Sequence, residues 1–512
     1  MATKQQTFII ELNSFRTLNT KDSAISMKQD ELPALENFMP IGSGLWSVPG
    51  YSDDLVTLSS RIVRHKWFNI GEQYGTMIAF CSDGSLWKVN DLSPAPNFSS
   101  LQLMPPGTFT NPHFIQWKDK TILIVDPTAG YYYYCTVAHT DTSGEVFLAG
   151  LNLISAAQTG TAIAIFKGHV FVANGRVINY TAPDLTMDFV GVGSGTTIDV
   201  YEDLGESIVE LIPTQDYLYV IGDLSTHLIY GIQILSDGTT TFNMTDAVPM
   251  IGSMWQDTCK AYANQVIMAT QTGINQVSGT SYAPASEYLD GLFPLLDFAF
   301  FTPIASFATI FNKTVYCMLV IVKQTATQPA MKKLLCFYQD SYGYRWFVVN
   351  YGLELSSISQ RNLKTGTDCF AARDNTIIKL FSGRSPITKT FTLRAEDFGY
   401  PVNDKAVVNA GVQITNVTAS VPSFTAALTI LGELSSVPAV ITFNLPSGPV
   451  SPNVFVADAS HGFGAVEGRG RKIQAQFTET SDAMYVVTGV AYECTLGPTW
   501  PEPTQDANPI FP

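Results

Sequence analysis

The sequence predicts an all-β protein: a β-propeller, of seven blades with six as the alternative count, plus a C-terminal β-sandwich-like domain. Three observations predict it. Tyr and Phe are abundant while only 14% of the 512 residues are charged, against about 25% in ordinary globular chains, and this is a strand-forming composition. A unit of tight turn plus apolar strand recurs at near-constant spacing between residues 61 and 390. Beyond residue 390 the period stops, and Val-, Thr- and Ala-rich runs broken by Pro, Ser and Gly take its place.

The repeat is clearest in Ile165–Thr181, IFKGHVFVANGRVINYT, which reads as strand, turn, strand, turn, strand. Asn174-Gly175 has the composition of a type I′ turn, in which both central residues take positive φ. A meander this short cannot bury its own faces and needs copies of itself. The apolar strand after the first turn opens at Thr76, Thr121, Val170, Leu218, Val266, Val315 and Thr376, at intervals of 45, 49, 48, 48, 49 and 61 residues. Polar turns precede these strands: Lys118-Asp119-Lys120, Lys167-Gly168-His169, Gln215-Asp216-Tyr217, Ala263-Asn264-Gln265, Asn312-Lys313 and Arg373-Asp374-Asn375. The last interval is long because a polar loop, Lys323–Lys332, interrupts the sixth copy. Units of about 40–50 residues with several short strands are the mark of a propeller, in which each twisted sheet stacks on its neighbours.

In chain order, residues 1–60 read as an extended N-terminal docking segment. It holds one strand (Phe8–Leu12), a polar stretch and the turn-rich lead-in LPALENFMPIGSGLWSVPGY. Residues 61–390 form the propeller. Residues 391–500 form the sandwich-like domain, with strands expected at Val407–Ala419, Phe424–Leu431, Ala439–Phe443, Val454–Ala457, Lys472–Phe477 and Tyr485–Tyr492. Residues 501–512 are a Pro-rich tail. Two ring-closing strands are open to the sequence: Phe8–Leu12, or the strand around Thr390–Leu393.

A net charge of −15 argues against reading or wrapping nucleic acid, which requires phosphate neutralisation; repulsion does suit a passage along which DNA must not stick. The seven scattered cysteines (Cys81, Cys135, Cys259, Cys317, Cys336, Cys369, Cys494) lack C-x-x-C spacing and mostly fall in apolar strand patterns, as buried reduced thiols do. The N-terminus has no apolar signal region, and Phe298–Phe311 is too short to span a bilayer; synthesis in a cytosol and no membrane insertion are therefore expected.

Catalytic signatures do not emerge. There is no G-x-x-x-x-G-K-[ST], H-E-x-x-H or G-x-S-x-G. The histidines His65, His113, His139, His169, His227 and His461 show no metal-ligand spacing, and His169 reads as a solvated turn residue. Asp83, Asp119, Asp216 and Asp374 sit in turns, where Asp bonds its own backbone. HGFGAVEGRGRK, with Gly462, Gly464 and Gly468, misses a dinucleotide fingerprint by one residue; Arg469, Arg471 and Lys472 in it read as an inter-subunit contact. Tyr131–Tyr134 places two rings on each face of one strand, for blade-to-blade packing. No catalytic, cofactor-binding or metal-binding residue and no cofactor are assigned, and the chain is not expected to be an enzyme.

The lead-in ALENFMPIGSGLWSVPGY, with Asn37, Gly44 or Gly42, Leu45, Pro49 and Gly50, resembles the N-terminal segment of the tail nozzle and packaged-DNA stabilisation proteins of short-tailed, podovirus-type bacteriophages. Val170–Gly175 followed by Ile178–Pro183 and Met187–Phe189 is similar to their third-blade pattern. Gly273-Ile274 with Val277–Gly279, and the closing Gly497–Trp500, are similar to other stretches of that family. Val48 stands where an arginine commonly precedes their Pro-Gly. The resemblance implies a structural virion protein. It would form a homo-hexameric nozzle below the adaptor, retaining packaged DNA and conducting it during ejection. Its partners would be copies of itself, adaptor or head-to-tail connector proteins, and tail fibre, tailspike or needle proteins, with DNA only as passing cargo. A carbohydrate-binding or glycan-cleaving propeller acting at a cell surface is the alternative function.

Overall fold

The computed structural model describes residues 7–70, 75–91, 98–200, 206–236, 238, 240–323, 329–383, 385–401, 403–415, 424–431, 439–445, 454–456 and 472–499. It is all-β apart from three short 3-10 turns, and it divides into two compact units. One unit comprises residues 51–334 and 352–383; the other comprises 1–50, 335–351 and 384–512. This differs from the linear order expected from the sequence. Residues 7–50 are packed into the same unit as the C-terminal strands, because their short apolar strands find partners there.

The first unit is the propeller, and it has seven blades. Five complete meanders run Ile62–Met104, His113–Ser155, Ala162–Asp199, Ile208–Val248 and Lys260–Pro284, each an antiparallel sheet of four strands. The sixth opens with Ile304–Ile310 and Lys313–Val322. The seventh holds Leu355–Leu363, Gly366–Arg373 and Thr376–Leu380, with Val56–Thr57 as its fourth strand. Alternate side chains of each blade enter the two neighbouring seams, which explains why the second strands are apolar on both faces. In Tyr131–Tyr134, Tyr131 and Tyr133 pack toward the third blade and Tyr132 and Tyr134 toward the first, as the alternation predicts.

The ring is closed by Val56–Thr57, not by either strand the sequence left open. Leu55 N–H donates to Ile377 O at 2.9 Å and Leu58 N–H to Asn375 O at 2.8 Å. The seam between the seventh and first blades buries Ile62, Trp67, Met77, Phe370, Ala372 and Ile377 together. Arg361 is sealed into it, donating to Asp91 at 2.7 Å and Asp368 at 2.9 Å with its guanidinium over the Trp67 and Phe370 rings. Strand Thr7–Leu12 instead pairs with Val486–Thr499, and Ile387–Thr392 pairs with Lys472–Ser481, both in the second unit.

Two local expectations are corrected. Thr376 opens the third strand of its blade; the equivalent second strand opens at Gly366. Register, more than the polar loop, therefore lengthened the last interval. The type I′ geometry falls at Lys167-Gly168, with φ of 50° and 83°, between the paired residues Phe166 and His169. At the second turn Asn174 pairs with Val177, so the loop is Gly175-Arg176. There only Gly175 takes positive φ, as type II′ requires.

Among the described residues, the second unit holds two large sheets and a small parallel pair, Thr17–Leu18 with Glu31–Leu32. One orders Val454–Val456, Asn403–Thr415, Val486–Thr499, Gly44–Ser47 and Phe38–Ile41, with Thr7–Leu12 also on Val486–Thr499. The other runs Gly343–Val349, Ala34–Glu36, Ile387–Thr392, Lys472–Ser481, Phe424–Leu431 and Ala439–Leu445. An aromatic core joins them: Phe38 meets Phe391 and Tyr485 edge-on at 5.5 and 5.9 Å, and Tyr485 meets Phe424 at 5.6 Å. Beneath it lies a buried ion pair, Lys389 Nζ to Glu479 at 2.9 Å, with the Tyr485 hydroxyl donating to the same carboxylate at 3.0 Å. The strands expected after residue 391 are present; the Gly-rich stretch with Gly462, Gly464, Gly468, Arg469 and Arg471, His461, and the Pro-rich tail lie outside the described residues, while Lys472 opens a strand.

The lead-in 34–50 owes its sequence to this unit. Asn37 has φ 61°, a conformation Asn tolerates well. Its amide donates to Asn350 O at 2.7 Å and Thr388 O at 2.6 Å, and its side-chain oxygen accepts from Asn350 N–H at 2.8 Å. A Cβ at Gly44 would stand 2.8 Å from Val486 Cγ1, and one at Gly50 would stand 2.5 Å from Ser385 O. Leu45 is fully buried, and Pro49 O accepts from the Tyr351 hydroxyl at 3.1 Å.

Candidate functional site

The first strands of all seven blades surround a cavity of about 430 Å³ within the ring. Its walls are residues 64–67, 69, 113–116, 163, 210–213, 257, 259–261, 304–307, 357–360 and 362. First strands in a propeller run beside the central channel, so their side chains face one another across it.

The connection between the fourth and fifth blades reaches into this channel as a 3-10 turn, Gln256–Thr258. Gln256 donates to Thr161 O of the third blade at 2.6 Å. Asp257 accepts from Arg64 of the first blade at 2.7 Å. Thr258 O accepts from the Tyr316 hydroxyl of the sixth blade at 2.9 Å. One short turn is thus tied to three blades. Arg64 is held further by Asn111 Oδ1 at 2.8 Å, Pro112 O at 3.0 Å and the His113 ring nitrogen at 3.3 Å. Lys66 donates to Phe114 O at 2.9 Å.

Burial dominates the titration of this set. It holds the His65 imidazole down to about 4, against a backbone hydrogen bond at Phe370. It pushes His113 well below the usual range, helped by Arg64. Both rings are therefore neutral at pH 7. Burial raises Glu210 to about 7, against the Leu211 N–H and the nearby Lys260 and Lys66. Lys66 is exposed in the channel, yet the enclosing protein and then Lys260 lower its ammonium to about 8. At Asp257 burial works against the charge, but Arg64 and Lys260 outweigh it and hold the carboxyl well below its usual range.

The structure places the other singled-out residues apart from this channel. His169 is buried, not solvated: its Nδ1 lies 2.7 Å from Thr181 O among Phe171, Tyr180 and Phe242. His139 stacks on Phe147 at 5.0 Å, and His227 lies 2.8 Å from Asp246. Asp83 accepts from Ser85 N–H and Oγ, which is the turn chemistry expected of it. Asp216 accepts from Asn264 in the next blade at 2.7 Å, and Asp374 has φ 54° in its turn. All seven cysteines are free and buried, as expected; six lie in strands, and Cys259 caps the turn Gln256–Thr258. Among the described residues, no group of three or more His, Cys, Asp or Glu could hold a metal ion.

The channel set Arg64, Lys66, Glu210, Asp257 and Lys260 did not stand out in the sequence. Its signal was a charge inside an otherwise apolar first strand, as in IVRHKWF and IVELIP.

No family model matches the chain, and no curated protein matches it. Among solved structures, the extracellular domain of the putative hybrid two-component system BT4673 from B. thetaiotaomicron is similar in part, at 12% identity and a TM-score of 0.38. The likeness covers 65% of this chain and 39% of that one.

Proposed function

We propose that this chain is a structural virion protein of a phage tail, a wall subunit of a homo-hexameric nozzle that retains packaged DNA and conducts it during ejection. The observation that carries the reading is the lead-in. The residues that bear the resemblance to nozzle proteins (Asn37, Gly44, Leu45, Pro49, Gly50) bind backbone, pack, or leave room for it. The match therefore lies in a demanding structural motif, not in a permissive loop. A rigid closed ring joined covalently to a sandwich suits a building block, and six copies at −15 each would repel a DNA backbone rather than hold it.

The test is loss of the protein from the particle. Phage lacking a functional copy of the gene are expected to package DNA and then lose it, and purified chain added back is expected to restore retention. Particles that keep their DNA and infect without the protein would contradict the proposal. Sugar binding on a glycan array, lost on changing a loop carboxylate, would favour the cell-surface propeller instead.

A further inference from the structure

The channel combines an excess of positive charge with unsatisfied polar groups. Arg64, Lys66 and Lys260 face Asp257 and Glu210 there, in a chain whose overall balance is strongly acidic. Arg64 and Asp257 neutralise one another at 2.7 Å. Lys66 and Lys260 remain against the single carboxylate of Glu210, which accepts its own neighbour's N–H, from Leu211, at 2.9 Å. Lys66 makes one hydrogen bond, to Phe114 O, of the three its ammonium can donate. His65, only 3% exposed, lines the cavity with Nδ1 against Ser357 Oγ at 2.7 Å. Ser359 Oγ and Arg64 Nε on the cavity wall are buried and unpaired. Buried donors of this kind are normally satisfied, and an enclosed positive cavity concentrates anions.

We infer that the ring channel binds a small oxyanion, a sulfate-, phosphate- or carboxylate-type group, between Lys66 and Lys260. The volume of about 430 Å³ falls in the range of small-molecule sites. The oxygens accept from the two ammonium groups, and the plug Gln256–Thr258, by taking Asp257 to Arg64, keeps that carboxylate from competing. Proton linkage follows from the groups facing the site, which are Arg64, His65 and Lys66 from the first blade, His113 from the second, Glu210 from the fourth, and Asp257, Cys259 and Lys260 from the fifth. An anion disfavours ionised Glu210 and favours charged Lys66, so binding weakens as pH rises from 6 to 9.

Isothermal titration calorimetry of the full chain with sodium sulfate in a chloride background tests this, because sulfate keeps its charge across that pH range. One site per chain is expected, tighter at pH 6 than at pH 9. Lys260→Met is expected to weaken it roughly tenfold or more, as losing a charge-assisted hydrogen bond does, while Lys260→Arg retains it. If Lys260→Met unfolds, Lys66→Met serves instead, with circular dichroism confirming the fold. No saturable heat at millimolar sulfate, or equal binding by the native protein and a folded Met variant, would overturn the inference. The measurement needs only the isolated chain, so its failure is separate from any failure to find the protein in a virion.

Discussion

At the scale of single residues, burial decides the chemistry. His65 is neutral because its ring is enclosed, and its titration in the folded chain is held down to about 4 from an ordinary 6.5. Between these values the unfolded chain binds more protons, so this contribution is fully present above about pH 6.5 and is lost as pH falls toward 4. Glu210, raised to about 7 from 4.5, acts oppositely: it binds its proton more readily when folded, and its contribution is lost as pH rises toward 7. The His65 part is therefore read by difference. The native protein is expected to lose stability relative to His65→Gln as urea melts move from pH 7 to pH 4; a constant difference would refute it. Asn37 supports a second prediction. Its amide satisfies Asn350 and Thr388 from a left-handed backbone, so Asn37→Ala strands buried partners and is expected to cost about 3 kcal/mol by denaturant melting. None of this was legible in the chain. His169 read as a solvated turn, because the sequence cannot show that Phe171, Tyr180 and Phe242 fold over it.

At the scale of elements, what was legible was local. Each blade's second strand announced itself because it is buried on both faces and follows a short turn, and such signals sit within a few residues of each other. The closing strand is different. Val56–Thr57 is two residues long and pairs with Thr376 and Ile377 some 320 positions away, leaving no periodic trace. The seventh blade was placed one strand late for the related reason that its second and third strands both follow polar turns. Leu55→Pro removes the N–H that Ile377 O accepts, so amide exchange is expected to speed first in Thr376–Leu380. Uniform acceleration over all blades would contradict a closing role. Arg361→Met takes the guanidinium from the buried Asp91, while Asp368 keeps Lys379 at 2.8 Å, and is expected to cost about 3 kcal/mol, as breaking a buried ion pair does.

At the scale of the molecule, two all-β units share one chain by interleaving it. Residues 335–351 and both flanks of the described chain belong to the second unit, while the ring is threaded between them. Sequence order suggested a docking segment, a propeller and a sandwich in succession, because a linear reading assigns each stretch to its nearest neighbours. The short strands Phe38–Ile41 and Gly44–Ser47 instead complete a sheet with Val486–Thr499. The lead-in is thus part of the second unit's own fabric. The most direct measurement of the proposed role is quantitative mass spectrometry of purified phage particles from the genome that encodes this chain. The chain is expected in every particle at a sixfold complement per tail, released together with the tail when heads are broken. Particles that contain none of it would contradict a nozzle role.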